Sequence, residues 1–259
     1  MTVLVHAVVS LGMLIVVPLG LTLLPTRTAS NRWWFAFAVP GAIALWLPRG
    51  AVSIVLASVY FVGTLVLITL AARHFLQHRT VSTRQVALYT ALATPSIAAL
   101  ALVAERSSYE LFGFNLTVLS LTVAHFHFAG FAAALMAFLA ADGLAAVSVP
   151  LGTAIVLLGF FLGDPVELAG AVVLTTGMWL VGWNLWKRSR RTDRTTAILL
   201  MVSGSVLVLT MLLAVSWALG HVVDTPYLPL EWMVATHGVA NAVGFALCGV
   251  LAMRREGAR

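Results

Sequence analysis

Long apolar runs separated by short polar loops repeat along almost the whole chain. Each run is close to the roughly 20 residues that an α-helix needs to cross the hydrocarbon core of a bilayer. The runs are continuous, whereas a transmembrane β-strand alternates apolar and polar side chains, so the pattern excludes a membrane β-barrel. It predicts an all-α polytopic bundle of about nine transmembrane helices, over residues 3–24, 33–47, 51–72, 86–104, 112–141, 144–163, 168–186, 196–219 and 232–253.

The spacing of the runs bears on domain organisation. The loops between the runs are short, and we therefore expect a single transmembrane helical domain over residues 1–259. The second run, 33–47, is the shortest and contains Pro40, so the second and third runs could form one broken hairpin. The first run lacks a basic flank and a small-residue cleavage site, which favours a retained helix over a signal peptide.

The composition agrees with a membrane protein. Hydrophobic residues make up 61% of the chain and charged residues 9%, whereas about a quarter of the residues in a soluble domain are charged. The net charge is +6, but the charges lie in the short loops. We therefore expect the lipid bilayer, and not nucleic acid, as the partner of this surface, and the sequence does not indicate a protein partner. Cys248 is the single cysteine, so no disulfide framework is possible.

The distribution of basic residues predicts the orientation of the chain. With nine crossings, all of the 15 Lys and Arg residues except Arg49 and Arg106 fall on one side of the membrane. Short basic loops stay in the cytoplasm. We therefore expect the N-terminus outside and the C-terminus in the cytoplasm. Tryptophans near the ends of the runs, such as Trp34 and Trp46, are typical of an interfacial belt.

The fifth run contains two histidines, His125 and His127, in an otherwise apolar setting. Ionisable residues inside a membrane are costly to bury, and they commonly mark functional sites. Helical residues two positions apart point about 200° away from each other, so these histidines face opposite sides unless the helix is distorted. Asn115 and Thr122 share the face of His125.

A second polar cluster lies in the last run. His237 and Asn241 are four residues apart and therefore share one helix face. Both the fifth and the last run lead inward from the outer side, so the depths of His125, His127, His237 and Asn241 overlap. We predict that these four residues form the catalytic part of an intramembrane pocket, with His125 the better placed of the two neighbouring histidines.

Further polar side chains are candidates for binding a substrate. Besides Asn115 and Thr122, these are Tyr60 in the third run, Trp179 and Asn184 in the seventh, and the acidic residues Glu105 and Glu231 at outer helix ends. The chain has no P-loop, no dinucleotide-binding glycine motif, no C-x-x-C and no H-E-x-x-H. Known nucleotide, redox and metalloprotease motifs therefore do not identify the reaction.

The two histidine motifs resemble those of the YndJ-like family of bacterial membrane proteins. They read His125-Phe-His127-Phe-Ala-Gly-Phe and His237-Gly-x-x-Asn241-Ala-x-Gly-Phe. The length and apolar character fit this family along the whole chain. The resemblance implies a shared fold and site in a multi-pass protein of the bacterial inner membrane, and no particular reaction.

The H-F-H segment also resembles a segment of haem-copper oxidase subunit I. Two histidines on opposite helix faces ligate two haems in that family, and His125 and His127 have the corresponding spacing. The other ligand histidines and the tyrosine-linked copper site of the family have no matching motif in this chain. The likeness is therefore local.

Three functions follow as hypotheses. The first is an intramembrane enzyme of the isomerase or cyclase type, without a cofactor, that does acid–base chemistry on a lipophilic molecule such as an isoprenoid. Histidine exchanges protons near neutral pH, and Asn241 could polarise a substrate oxygen. The second is a redox protein that binds haem or a transition metal through His125, His127 and His237. The third is a small-molecule transporter with interrupted helices.

Overall fold

The computed structural model describes residues 1–25, 32–79 and 81–257. The basic residues Arg27 and Arg259, which contributed to the predicted orientation, lie outside this part of the chain. The described residues form nine long helices and contain no β-strand. The helices are α1 Thr2–Leu21, α2 Arg32–Trp46, α3 Ala51–His78, α4 Thr83–Arg106, α5 Leu116–Ala140, α6 Gly143–Leu162, α7 Asp164–Ser189, α8 Arg194–Val223 and α9 Leu230–Gly257.

Eight of these nine helices are long and apolar enough to cross a membrane. The exception is α2, whose 15 residues span about 22 Å at 1.5 Å per residue, less than the roughly 30 Å of a bilayer core. The prediction of an all-α polytopic bundle is confirmed, and the chain is a multi-pass membrane protein. The second run, the shortest in the sequence pattern, is the helix that falls below this length.

Helix α5 begins later than the sequence pattern predicted. The predicted start at residue 112 is wrong, because Phe112 has a left-handed backbone (φ 57°) within a short 3₁₀ turn, Leu111–Gly113. The helix begins at Leu116, and Asn115 caps it by accepting a hydrogen bond from the backbone N–H of Val118 at 3.0 Å. A side-chain acceptor at this position satisfies one of the free N–H groups of the first turn.

Three helices contain π-helical segments. These are Gly12–Val16 in α1, Phe126–Ala132 in α5, and the pair Val234–Gly238 and Ala240–Leu247 in α9. A π turn bonds residue i to i+5, which changes the rotation of the side chains that follow and is frequent at functional sites. Both histidine motifs coincide with such segments.

The helices divide into two compact units. The first unit comprises Met1–Val81 and Tyr89–Ala132, and thus contains α1 to α3, most of α4 and the first part of α5. Helix α2 packs closely on α3, because a Cβ on Gly41 would lie only 2.6 Å from the Cβ of Tyr60. Small residues permit such close approach between membrane helices. That residues 1–259 form a single domain stays a prediction.

The second unit comprises Ser82–Leu88 and Ala133–Arg259. Helices α6 and α7 are in backbone contact, because a Cβ on Gly152 would lie 2.4 Å from the backbone N of Leu174, and one on Gly170 would lie 2.4 Å from that of Val156. Helix α8 packs between α7 and α9. Glycine at these positions lets the helices approach more closely than any side chain would allow.

Candidate functional site

The side chain of His127 is the centre of a hydrogen-bonded network in the first unit. Its Nδ1 lies 2.7 Å from the carbonyl oxygen of Val123, one turn earlier in α5, and its Nε2 lies 2.6 Å from the hydroxyl of Tyr60 on α3. A carbonyl oxygen only accepts, so Nδ1 carries the proton and Nε2 accepts from Tyr60. Both nitrogens of this fully buried imidazole are therefore engaged.

Aromatic side chains extend this network across three helices. The rings of Tyr60 and His127 lie nearly parallel with centroids 5.9 Å apart, and the Tyr60 ring also meets that of Trp34 at 5.7 Å in an edge-on arrangement. The indole N–H of Trp34 donates to the carbonyl oxygen of Met13 at 2.8 Å. The prediction of an interfacial belt is wrong for Trp34, which is fully buried, because its N–H finds a partner inside the protein.

Helix α1 fits against His127 at Gly12. A Cβ on Gly12 would lie 3.1 Å from the Cβ of His127, so the glycine leaves room for the imidazole. His125, by contrast, is only partly buried, and its ring meets the edge of Phe126 at a centroid distance of 5.6 Å. The two neighbouring histidines thus have different surroundings, and it is His127 that pairs with a predicted site residue, Tyr60.

A second network joins the predicted residues His237 and Asn241. The Nδ1 of His237 lies 2.7 Å from the backbone carbonyl of Thr210 on α8, and its Nε2 lies 3.3 Å from Nδ2 of Asn241. The Thr210 hydroxyl lies 2.9 Å from Oδ1 of Asn241 and 3.0 Å from the carbonyl oxygen of Val206, and these two acceptors share its one hydrogen. Nδ1 again carries the proton, and Nε2 is left as the basic atom facing an amide N–H.

The two networks share a pattern but differ in exposure. In each, a backbone carbonyl fixes the proton on Nδ1. The Tyr60 hydroxyl donates to Nε2 of His127, whereas Nδ2 of Asn241 lies 3.3 Å from Nε2 and 3.5 Å from Nδ1 of His237. His127 is fully buried, whereas His237 and Asn241 are both partly exposed. The partners of His127 belong to the first unit and those of His237 to the second. A pocket shared by the two motifs stays a prediction.

Glu105 forms a buried ion cluster in the first unit. Its Oε1 accepts from Arg49 at 2.7 and 3.0 Å, and its Oε2 accepts from Arg106. Glu105 and Arg106 are 2% and 5% exposed, so each compensates the charge of the other in a poorly solvated setting. Arg106 also donates to the carbonyls of Ala44, Leu45 and Leu47 at 3.1–3.3 Å, at the end of α2. Arg49 and Arg106 are the two exceptions in the predicted distribution of basic residues.

The other predicted substrate-binding residues have local or exposed roles. Asn115 caps α5, and the Thr122 hydroxyl donates to the carbonyl of Val118 one turn earlier at 2.8 Å. The indole N–H of Trp179 donates to the carbonyl of Leu207 at 3.1 Å and thereby joins α7 to α8. Asn184 is partly buried, and Glu231 is exposed in the first turn of α9. The structure brings none of these five to either histidine.

Sequence reasoning missed two residues of these networks. Thr210 lies in an apolar run where it has the appearance of an ordinary lipid-facing threonine, and Trp34 resembles an interfacial residue. Neither residue could be recognised from the sequence, because its hydrogen-bond partner lies on another helix, 31 residues away for Thr210 and 21 for Trp34. Within the described residues, no three His, Cys, Asp or Glu side chains are grouped so as to hold a metal ion. The haem or metal hypothesis stays a prediction.

Comparison with known proteins matches one protein family over most of the chain. The model of the YndJ-like protein family matches residues 7–245. This range includes both π-helical histidine segments and nearly all of the chain. No curated protein and no solved structure matches the sequence. With both motifs and almost the full length inside the family match, the chain belongs to the YndJ-like protein family.

Proposed function

We propose that this protein is a membrane-embedded enzyme that moves a proton on a small lipophilic molecule, such as an isoprenoid, without a cofactor. The observation that carries the proposal is the geometry of His237, whose Nδ1 proton is fixed on the carbonyl of Thr210 at 2.7 Å. The Nε2 atom is then the basic atom, and it is held beside the amide of Asn241. A proton transfer of this kind is part of an isomerisation or a cyclisation reaction.

The roles follow from what each atom can accept or donate. Nε2 of His237 accepts a proton from the substrate and returns it at another position, as a general base and then a general acid. Asn241 has two amide hydrogens on Nδ2, which lies 3.3 Å from Nε2 and 3.5 Å from Nδ1 of His237, and we assign one of them to a substrate oxygen. Since the Thr210 hydroxyl contacts the amide oxygen, the donor is held in place before the charge on the substrate oxygen develops.

Access to this site supports a substrate that arrives from the bilayer. His237 and Asn241 are partly exposed on a helix surrounded by apolar side chains. A Cβ on Gly238 would meet nothing closer than the carbonyl of Met233 at 3.9 Å, its chain neighbours apart, so no other helix packs closely on α9 at this motif glycine. A lipophilic molecule could reach Nε2 sideways, without crossing polar solvent.

The buried network of the first unit is proposed as a support for this chemistry and not as its site. Both nitrogens of His127 are engaged by Val123 and Tyr60, and its side chain is fully buried. A substrate would have to displace Tyr60 to reach it. We therefore assign the proton transfer to His237 and the positioning of α3 and α5 to His127.

Deuterium exchange tests the proposal. Purified protein in nanodiscs made with D₂O is incubated with a lipid extract, and mass spectrometry follows deuterium uptake into isoprenoids and quinones. We expect uptake at carbon in a defined compound, reduced at least about 100-fold in His237→Gln. The matched control is His221→Gln, because His221 also places Nδ1 on a backbone carbonyl (Trp217, 2.8 Å) but lies at the exposed end of α8.

Two outcomes would contradict this assignment. One is uptake that is equal in wild type and in a folded His237→Gln protein, and the other is no uptake into any compound. The alternatives are read from the same preparations. A Soret band or stoichiometric metal that is lost in histidine variants would favour the haem or metal hypothesis, and solute flux in proteoliposomes would favour the transporter.

We also propose that the chain lies in the inner membrane of a bacterium with its C-terminus in the cytoplasm. The pairing of Glu105 with both Arg49 and Arg106 supports this orientation, because it compensates the only two basic residues expected on the outer side. A cysteine in place of Asp224 should react with an impermeant maleimide in intact cells, and one in place of Arg190 should not. The opposite labelling would reverse the orientation.

A further inference from the structure

A small cavity lies in the first unit, where α1 and α5 begin and α4 ends. Its volume is about 60 Å³, which is room for about four to six water-sized spheres, since one water needs about 10–15 Å³ by this measure. The polar part of its lining includes His6, Arg49 and Glu105, and Thr117, Ser120 and Leu121 of α5 close another side. The space suits a small polyatomic group.

The charged residues at this cavity leave an excess of positive charge. Two guanidinium groups, Arg49 and Arg106, surround the single carboxylate of Glu105, and both of its oxygens are occupied. Arg106 is committed further to the carbonyls at the end of α2. Arg49 binds Glu105 through Nε and Nη2, and its side chain is 46% exposed. Its Nη1 is left for another acceptor.

His6 supplies an independent observation that points to a ligand in the cavity. Its side chain lines the cavity, is 8% exposed, and meets Trp46 edge-on at a centroid distance of 5.5 Å. Within the described part of the chain its Nε2 has no hydrogen-bond partner. Buried polar atoms in native proteins are nearly always paired. An acceptor in the cavity would satisfy this nitrogen as the Nε2–H form.

Helix α5 adds a further preference for an anion. Thr117 lies in its first turn and lines the cavity. The N-terminus of a helix carries a partial positive charge and free N–H groups, which favour phosphate and other anions. The cavity is also bounded by apolar side chains such as Leu121, which could contact the first carbons attached to a bound head group.

We propose that this cavity binds a phosphate group, as found in the phosphodiester head of a lipid or in free phosphate. Positively charged groups outnumber the single carboxylate of Glu105 at the cavity, and His6 and Arg49 donate to the phosphate oxygens. The site is separate from the proposed proton-transfer residues and does not depend on that function.

Lipid binding measured by native mass spectrometry tests the site. Full-length protein in an uncharged maltoside detergent is titrated with dioleoyl phosphatidylglycerol, with dioleoylglycerol, which lacks the phosphate, and with inorganic phosphate. We expect binding of the phosphatidylglycerol and not of the dioleoylglycerol. His6→Phe and Arg49→Gln should each weaken that binding at least about tenfold, since each removes a donor to a charged group.

Arg188→Gln is the matched control, because Arg188 is also about half-exposed (41%) and pairs with a carboxylate, Glu256, in the second unit. It should bind the lipid as wild type does. Inorganic phosphate that competes with the lipid and is lost in the same variants identifies the free anion as a ligand of the same site. Equal binding of the two lipids, or unchanged binding in Arg49→Gln, would overturn the proposal even if His6→Phe does not fold.

Discussion

The hydrogen bond between Tyr60 and His127 allows a sharp test of the first unit. Replacing Tyr60 with Phe keeps the ring that lies beside His127 and meets Trp34, and it removes only the hydroxyl. Nε2 of His127, 2.6 Å from that hydroxyl in the wild type, then has no donor. The ring is fully buried, so water does not replace the lost group without a rearrangement.

Two ranges of free energy bound the expected loss of stability. Leaving a buried acceptor unsatisfied costs about 1–3 kcal/mol. Side-chain hydrogen bonds inside membrane proteins average about 0.6 kcal/mol and reach about 1.7, because the unfolded chain in the membrane also finds partners. Since the Tyr60–His127 bond is short and fully buried, we expect the upper part of the second range, about 1–1.7 kcal/mol of the free energy of unfolding.

Equilibrium unfolding in mixed micelles, followed by tryptophan fluorescence, measures this loss. Tyr89→Phe is the matched control, because Tyr89 also contacts a histidine, His74, but at 3.3 Å and in a partly exposed position. It should cost less than about 0.5 kcal/mol. A double-mutant cycle with His127→Leu should give a coupling above about 0.5 kcal/mol. Equal losses in Tyr60→Phe and Tyr89→Phe would refute the reasoning.

Two other predictions concern packing and charge. Gly152→Ala should destabilise the second unit by more than about 2 kcal/mol, because its Cβ would lie 2.4 Å from the backbone of Leu174 and the helices must separate. The control Gly238→Ala has open space around it and should unfold as wild type does. Equal unfolding of both variants would contradict this prediction. Arg106→Gln should cost about 3–5 kcal/mol, as expected for breaking a buried ion pair, and Arg188→Gln should cost less, because its side chain is 41% exposed. Denaturant midpoints measure both, and a small loss in Arg106→Gln would show that Glu105 is adequately held by Arg49 alone.

The sequence was sufficient to predict the helices and to predict which side chains share a face within one helix. Continuous apolar runs predicted each of the described helices, and the spacing of His237 and Asn241 predicted that their side chains meet on one face, as they do at 3.3 Å. Both predictions rest on local periodicity. They need no knowledge of which helices are neighbours.

The partners on other helices could not be predicted in the same way. Tyr60 and His127 are 67 residues apart, and their meeting depends on how α3 and α5 are rotated about their own axes. The π-helical segment Phe126–Ala132 changes that rotation after His125, so reasoning from 3.6 residues per turn gives the wrong face beyond it. The start of α5 was missed for a related reason, since the left-handed backbone of Phe112 leaves no mark in an apolar run.

The short helix α2 has a consequence for how the protein responds to its membrane. A helix shorter than the hydrocarbon layer normally requires the bilayer to thin around it, so that water can reach its last carbonyl groups. Here the guanidinium of Arg106 reaches three of those carbonyls, on Ala44, Leu45 and Leu47. The protein thus carries its own polar cap for α2. Lipids with longer acyl chains should therefore not disturb the end of α2. A change in bilayer thickness should instead affect the longer helices.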